Sequence, residues 1–267
     1  FVTAASLFDG HDAAINIMRR LIQAQGVEVV HLGHNRSVED VVRAALQEDA
    51  DGIALSSYQG GHVEYFKYMV DMLKERGASH IRVFGGGGGT ITPEEIRELQ
   101  AYGVERIYHP NDGMAMGLVA MIEDLVRRTV SHRVATARPE RVSKDDEISV
   151  GKMLSALEEG LFSDGELATL RKEWQLAGGK TPVIGLTGTG GAGKSSVTDE
   201  LLNRFLASFP DMRIAVISVD PTRRRTGGAL LGDRIRMNAL RSTRVFMRSM
   251  ATRRQHVATN VVLKDCI

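Results

Sequence analysis

The stretch IRVFGGGGGTITPEEI, residues 81–96, contains the repeating unit on which the first half of the chain is built. Its apolar run 81–84 is typical of a short buried strand, and five glycines follow it. Thr92 then caps a helix, because Pro93 fits the first turn and Glu95 closes a capping box. The stretch therefore predicts a strand, a glycine loop and a helix in direct succession.

The same alternation extends over the whole first half. Further strand-like runs are FVTAASLF, VEVVHL, GIALSS and RIYH, and helical spacing of apolar residues is found over 13–24, 38–46, 63–73 and 114–127. Five such units predict an α/β fold with a parallel sheet and helices on both faces. In a flavodoxin-like (Rossmann-type) strand order, the ligand crevice opens where the order reverses, between the first and third strands.

The rest of the chain divides into two further segments. A polar stretch with helical patterns over 146–159 and 164–177 predicts a linker with helices at 133–179, after a first domain at 1–132. From residue 180 the sequence reads VIGLTGTGGAGKSSVTDELL, which predicts an apolar strand, a glycine loop and an amphipathic helix. The segment 180–267 is therefore predicted to be an incomplete P-loop domain.

The loop DGHD, residues 9–12, follows the first strand and places one imidazole between two carboxylates. A flavin phosphate needs hydrogen-bond donors and positive potential, so Asp9 and Asp12 argue against a flavin. A phosphoacceptor receiver domain needs a carboxylate at the end of the third strand, where the sequence has Ser56. A metal-bearing ligand remains as the interpretation of this edge of the sheet.

His11 has the chemistry that such a ligand needs. A neutral imidazole is a good metal donor, and a carboxylate that accepts its other N–H fixes the tautomer and the ring orientation. Asp9, two residues earlier, is placed for that task. The glycine runs at 85–89 and 60–61 allow the backbone to approach a large flat ligand closely.

The motifs DGHD, ALSSYQGGH and VFGGGGGTITPEEI resemble the cobalamin-binding domain of adenosylcobalamin-dependent acyl-CoA mutases, over residues 1–130. The resemblance implies that His11 is the lower axial cobalt ligand and that Asp9 is its hydrogen-bonding partner. It implies a slot for the displaced nucleotide tail, lined by Ser56, the loop to Gly61, and Gly85 and Gly86. The implied cofactor-binding residues are Asp9, Gly10, His11, Asp12, Ala14, Ser56, Tyr58, Gly60, Gly61, Gly85 and Gly86.

Two positions depart from that family's pattern. Ala14 stands where glycine is expected, and it adds a methyl group at a point of close approach. Tyr58 stands where leucine is expected, and it adds bulk and a hydroxyl to the tail pocket.

Residues 188–195 match the phosphate-binding pattern G-x-x-x-x-G-K-[ST]. Backbone N–H groups of such a loop surround phosphate oxygens, and the following helix N-terminus adds positive potential. Lys194 is expected to reach the terminal phosphates, and Ser195 to bind magnesium. The predicted nucleotide-binding residues are Gly188, Gly190, Gly191, Ala192, Gly193, Lys194, Ser195 and Ser196.

The stretches DPTRRRTGGALLGDRIRMN and FMRSMATR resemble the metallochaperone GTPases that guard cobalamin-dependent mutases. The resemblance implies that Asp220 and Asp233 are the acids near magnesium. Arg223, Arg224 and Arg225 replace that family's small polar residues, and a partner surface, the triphosphate or plain solvation can each explain them. Neither the Walker B aspartate nor the guanine-reading Asn-Lys-x-Asp element is found in this sequence, so GTP or GDP with Mg²⁺ is implied by the resemblance alone.

The two halves in this order resemble the fused isobutyryl-CoA mutases. That family interconverts isobutyryl-CoA and n-butyryl-CoA, and its acyl-CoA is bound by a catalytic barrel that this sequence does not contain. The resemblance also implies a homodimer. Two alternatives stay open: a cobalamin-binding sensor or carrier with a regulatory NTPase, and a P-loop NTPase with a receiver-like domain.

Composition limits the remaining classes of function. The chain has 267 residues, of which 43% are hydrophobic, and a formal net charge of +1, which indicates neither a nucleic-acid nor a membrane partner. A single cysteine, Cys266, cannot form an internal disulfide, so we expect a reducing, cytoplasmic location. Because the sequence opens inside a strand and without Met, we expect it to be a piece of a longer protein.

Overall fold

The computed structural model describes residues 1–222, 226–253 and 262–267. In the first half, strands and helices alternate as the sequence predicts. The strands are β1 (Val2–Ala5), β2 (Glu28–His31), β3 (Gly52–Ser56), β4 (Arg82–Gly86) and β5 (Arg106–Tyr108). The helices are α1 (Asp12–Ala24), α2 (Val38–Gln47), α3 (His62–Glu75), α4 (Pro93–Tyr102), α5 (Pro110–Met116) and α6 (Leu118–Ser131).

The second half contributes fewer strands. Its helices are α7 (Glu147–Glu158), α8 (Asp164–Gly178), α9 (Lys194–Ser208) and α10 (Leu263–Cys266), and its strands are β6 (Ile214–Asp220), β7 (Ala229–Leu231) and β8 (Val245–Ala251). Within the described part of the chain, no helix is both long and apolar enough to cross a membrane.

The main sheet has the order β5-β4-β3-β1-β2-β7, and every neighbouring pair is parallel. The first five strands confirm the flavodoxin-like prediction. One apolar core lies between the sheet and α2 and α3, and a second lies between the sheet and α1 and α6. The carboxyl ends of β1 and β3 therefore bring their following loops to the same edge, where the order reverses.

Helix starts and ends follow local chemistry. The capping box at Thr92 is present, since its hydroxyl accepts the N–H of Glu95 and the carboxylate of Glu95 accepts the N–H of Thr92. The single helix expected over 114–127 is instead two helices. Gly117 has a φ of +81°, which a helix does not tolerate, so α5 ends and α6 begins there.

The strand expected before the glycine loop is absent, which corrects the sequence prediction. Residues 181–189 form no strand, and Val183 and Ile184 are 63% and 65% exposed. A strand needs a partner for its backbone hydrogen bonds, but β6 and β8 pair only with each other in the described sheets. The short run Ala229–Leu231 was not predicted as a strand, and it adds β7 to the edge of the main sheet beside β2.

Buried ion pairs join the two halves. Both oxygens of Glu48, which follows α2, accept the backbone N–H of Ser249, and Oε1 also accepts Nε of Arg234 at 2.6 Å. Arg248 donates to Glu158 of α7 at 2.6 Å and lies 3.9 Å from Glu48. Because these contacts cross from 1–132 into the rest of the chain, the domain boundaries at 132 and 179 stay a prediction.

Glu48→Ala is expected to lower the free energy of urea unfolding by about 3–5 kcal/mol, because it removes the carboxylate that Arg234 pairs with in the interior. The control is Glu200→Ala, which breaks an exposed pair with Arg204 inside α9 and should cost no more than about 0.5 kcal/mol. If the two substitutions cost the same, the two halves do not pack through Glu48.

Candidate functional sites

Asp9 organises the loop that follows β1. The side chain is 1% exposed, and its Oδ1 accepts the backbone N–H of His11 at 2.8 Å. Its Oδ2 accepts the backbone N–H of Tyr58, from the loop after β3, at 2.7 Å. One carboxylate therefore connects the two loops that flank the reversal of strand order.

The imidazole of His11 lies against this carboxylate. Its Nδ1 is 2.9 Å from Oδ1 of Asp9, and a carboxylate only accepts, so in the neutral imidazole Nδ1 carries the proton and Nε2 carries the lone pair. The side chain of His11 is 75% exposed. The arrangement thus offers an accessible imidazole nitrogen whose tautomer is set by a buried carboxylate, as in many metal-ligating histidines.

A mostly apolar cavity of about 450 Å³ opens beside this loop. Its floor comes from β3, β4 and β5, and its walls come from α1, α5 and α6, with Ala14 and Tyr58 at its lining. The cavity extends over β3 to β5 rather than between β1 and β3, because Ala54 and Gly86 present almost no side chain to this face. Its volume falls within the usual range of small-molecule sites, about 300–1,000 Å³.

Two features of the cavity indicate that it holds a ligand with polar groups. The hydroxyl oxygen of Ser56 is buried and has no hydrogen-bond partner, although most buried polar atoms have one. Gly86 lies on the same face of β4 as Phe84, and a Cβ there would meet only the carbonyl of Tyr108, at 3.4 Å. The glycine therefore leaves room on the cavity side, next to a hydroxyl that lacks a hydrogen-bond partner.

The remaining residues predicted for this site lie around the cavity rather than in it. Gly10 and Asp12 are exposed at the start of α1. Gly60 and Gly61 are exposed in the loop before α3, where the N–H of Gly61 donates to the side chain of Gln59. Gly85 faces the opposite core, where a Cβ would lie 2.3 Å from Cζ of Phe66, although its backbone still borders the cavity.

The sequence prediction missed most of the apolar lining. Helical periodicity marks the inward faces of α1 and α6, but it does not say which inward residues border a void. On α1, α5 and α6 the missed residues include Ile15, Met18, Ile22, Pro110, Met114, Leu118, Met121, Ile122 and Leu125.

The glycine loop of residues 188–193 ends at α9. Gly191 and Gly193 have φ values of +79° and +83°, and Gly193 caps the helix in the left-handed conformation. Nζ of Lys194 donates to the carbonyls of Gly188 and Thr189 at 2.9 and 3.0 Å. The loop is exposed, including Gly190 and Ala192, and Ser196 in the first turn of α9 is exposed as well.

Three residues predicted to surround magnesium lie together. The hydroxyl of Ser195 donates to Oδ1 of Asp233 at 3.0 Å, and Ser218 donates to the other oxygen of Asp233. Burial, followed by the nearby charge of Asp233, raises the pKa of Asp220 to about 6. A hydroxyl with two carboxylates is the oxygen donor set that Mg²⁺ prefers.

Arg223, Arg224 and Arg225 lie outside the described residues. In the described part of the chain, no group of three or more His, Cys, Asp or Glu side chains forms a metal site. The candidate cobalt position is instead built from one imidazole. The candidate magnesium position is built from two carboxylates and a hydroxyl.

The two halves match two protein families. The profile of the B12 binding domain matches residues 1–119, and that of the methylmalonyl-CoA mutase-associated GTPase MeaB matches residues 157–260. The second match covers the glycine loop and the acids beside it. The first covers the loop of His11 and most of the cavity.

Similar proteins carry both parts. Fused isobutyryl-CoA mutases from Cupriavidus metallidurans and Geobacillus kaustophilus are 59% and 54% identical to this chain over its whole length. The chain spans 24% and 25% of those relatives. The 2-hydroxyisobutanoyl-CoA mutase small subunit of Aquincola tertiaricarbonis is 31% identical over 37% of this chain and 71% of its own length. With both family matches in the same order and this identity along its whole length, the chain belongs to the fused isobutyryl-CoA mutase family.

Proposed function

We propose that this chain is the cofactor-binding and GTPase part of an adenosylcobalamin-dependent acyl-CoA mutase. The observation that carries the proposal is the geometry around His11. Asp9 fixes the tautomer of an accessible imidazole at the mouth of an apolar cavity. The B12 binding profile and the fused relatives support the same assignment.

Different residues would bind different parts of cobalamin. His11 would give its Nε2 lone pair to cobalt, and Asp9 would strengthen that donor by accepting a hydrogen bond from Nδ1–H. The cavity would enclose the displaced nucleotide tail, with the unpartnered hydroxyl of Ser56 facing its polar atoms and with Gly86 leaving space. When bound, the cofactor supplies a weak cobalt–carbon bond that starts radical chemistry.

The second half would bind and hydrolyse GTP. The loop N–H groups and the N-terminus of α9 would surround the phosphates, and Lys194 would exchange its carbonyl partners for phosphate oxygens. Ser195, Asp220 and Asp233 would hold Mg²⁺, directly or through its waters. In this proposal the nucleotide cycle gates the loading of the cofactor.

The whole protein would interconvert isobutyryl-CoA and n-butyryl-CoA. The acyl-CoA would be bound by a barrel domain outside this sequence, in a homodimer located in the cytoplasm. The fused relatives favour this proposal over a sensor or carrier without mutase activity, because they are mutases by name and match the chain throughout.

The cobalamin site is tested by two alanine variants and one control variant in the full-length protein. Wild-type protein with adenosylcobalamin should bind the cofactor base-off, with a histidine nitrogen on cobalt. His11→Ala should lose that nitrogen, whereas Asp9→Ala should keep it but bind about 10–100-fold more weakly. Electron paramagnetic resonance of the one-electron-reduced state, with ¹⁵N-labelled histidine, reports the coordinating atom.

His34→Ala is the matched control, because His34 is an exposed histidine in the loop after β2. It should leave both the nitrogen coupling and the cofactor affinity unchanged. A histidine coupling that persists in His11→Ala would exclude this residue as the cobalt ligand.

The nucleotide site is tested by Lys194→Ala. The loss of a charged hydrogen-bond donor should weaken GTP binding about 10–100-fold in calorimetry, while the affinity for cobalamin stays the same. Lys172→Ala, an exposed lysine of α8, is the control. Equal GTP affinity in the Lys194→Ala variant and the wild type would remove the glycine loop from the proposed function.

The magnesium site has a pH signature. The raised pKa of Asp220, about 6, means that Mg²⁺ must displace a proton below pH 6 but not well above it. The affinity for Mg²⁺ with GTP should therefore fall by up to about tenfold per pH unit as the pH drops from 6 to 5. Asp220→Asn should bind Mg²⁺ more weakly at pH 7.5 and should keep only the shallower dependence that comes from the terminal phosphate of GTP.

Asp211→Asn, at an exposed position between α9 and β6, is the control and should keep the wild-type profile. A wild-type profile that matches that of Asp220→Asn between pH 5 and 7 would mean that Asp220 does not take part in magnesium binding.

A further inference from the structure

Tyr58 occupies an unusual place beside the candidate cobalt ligand. Its backbone is held by the same carboxylate as His11, because its N–H donates to Oδ2 of Asp9 at 2.7 Å. The side chain is half-buried and forms part of the cavity lining. Its ring centroid lies 5.4 Å from that of His11, with the two planes tilted by 42°. The aromatic ring is therefore a direct neighbour of the imidazole.

The Tyr58 ring also lies against Gly88. This glycine has a φ of +59°, and a Cβ there would lie only 2.6 Å from Cε1 of Tyr58. The ring thus occupies space that only a glycine at position 88 leaves free. With Gly88 and His11 both beside it, the ring has less freedom to move.

The imidazole needs a neighbour of this kind. The hydrogen bond from Nδ1 to Asp9 fixes the position of one ring nitrogen, but it leaves the imidazole free to tilt about that bond. The His11 side chain is 75% exposed, so few other groups restrain it. The Tyr58 ring, tilted by 42° with its centroid 5.4 Å from that of the imidazole, supplies the missing restraint, because aromatic pairs favour offset or tilted arrangements at this separation.

We infer that Tyr58 is a positioning residue that fixes the tilt of the His11 imidazole, with Gly88 as the seat of its ring. The inference rests on the proposed role of His11 as the cobalt ligand. The aromatic ring carries the effect, and the hydroxyl does not. Tyr58 therefore preorganises the direction of the Nε2 lone pair, which Asp9 does not do by itself.

The first test uses the protein without cofactor. Because the backbone N–H of Tyr58 binds Asp9, a side-chain substitution leaves that hydrogen bond in place and isolates the ring. In proton–carbon NMR spectra of ¹³C-labelled histidine, the wild type and Tyr58→Phe should show the same ring-current shift at His11. Tyr58→Leu should lose the shift, and Gly88→Ala should change it by displacing the ring.

The control is Tyr68→Leu, which makes the same change at an exposed tyrosine of α3 and should leave the His11 signals unaltered. Far-ultraviolet circular dichroism and unfolding midpoints establish that each variant is folded. A shift that survives in Tyr58→Leu would overturn the inference, and so would a shift that is lost in Tyr58→Phe.

The second test adds adenosylcobalamin to the full-length protein. Tyr58→Leu should bind it about 2–10-fold more weakly, the range expected for one aromatic pair, with a broader spread of histidine nitrogen coupling to cobalt. Tyr58→Phe should match the wild type in both respects. Equal affinity and equal coupling in Tyr58→Leu would overturn the positioning role.

The two proposals fail in different ways. If His11→Ala keeps the nitrogen coupling to cobalt, the proposed cobalt ligand is wrong, whatever the NMR spectra of the cofactor-free protein show. If His11 is the ligand but the Tyr58→Leu spectra match those of the wild type, the positioning role is wrong and the proposed function stands.

Discussion

The buried carboxylate of Asp9 is the constraint on which the ligand edge of the first half depends. A carboxylate removed from water is costly unless its lone pairs accept hydrogen bonds. Asp9 finds its donors in two loops, the backbone and ring of His11 on one side and the backbone of Tyr58 on the other. Satisfying one buried side chain therefore fixes the distance between the loops after β1 and β3, which is where the strand order reverses.

A second buried carboxylate has the corresponding role between the two halves. Glu48 accepts from Arg234 and from the backbone and hydroxyl of Ser249, so both of its oxygens are satisfied. Arg234 directly follows Asp233, which accepts the hydroxyl of Ser195 in the nucleotide site. The next residue, Ile235, packs against the loop after β2, close to Gly33. One short turn thus touches the nucleotide site on one side and the cobalamin-binding half on the other.

The sequence predicts the parts of this structure that depend on local patterns. The five alternating strands, the capping box at Thr92 and the pairing of Asp9 with His11 each follow from residue types at fixed spacing. The features that depend on distant partners were not predictable. Residues 181–189 have an apolar pattern but pair with no strand in the described part of the chain, and β7 is a strand only because the edge of β2 accepts it. The apolar lining is similarly hidden, because periodicity marks inward faces and not voids.

The two candidate sites prepare for their ligands in opposite ways. At the first, Nδ1 of His11 is hydrogen-bonded to Asp9 and the imidazole lies beside the ring of Tyr58, while Nε2 carries a lone pair that needs no internal partner. Little conformational freedom is left to lose on binding, which favours affinity. At the second, Lys194 donates to two carbonyls of its own loop, so phosphate oxygens must compete with those hydrogen bonds. Glycines with positive φ allow the loop to change conformation while these hydrogen bonds are exchanged. The first site thus has its donor nitrogen oriented by Asp9 before it binds, whereas the second must exchange one set of hydrogen bonds for another, which suits a ligand that is bound and released in a cycle.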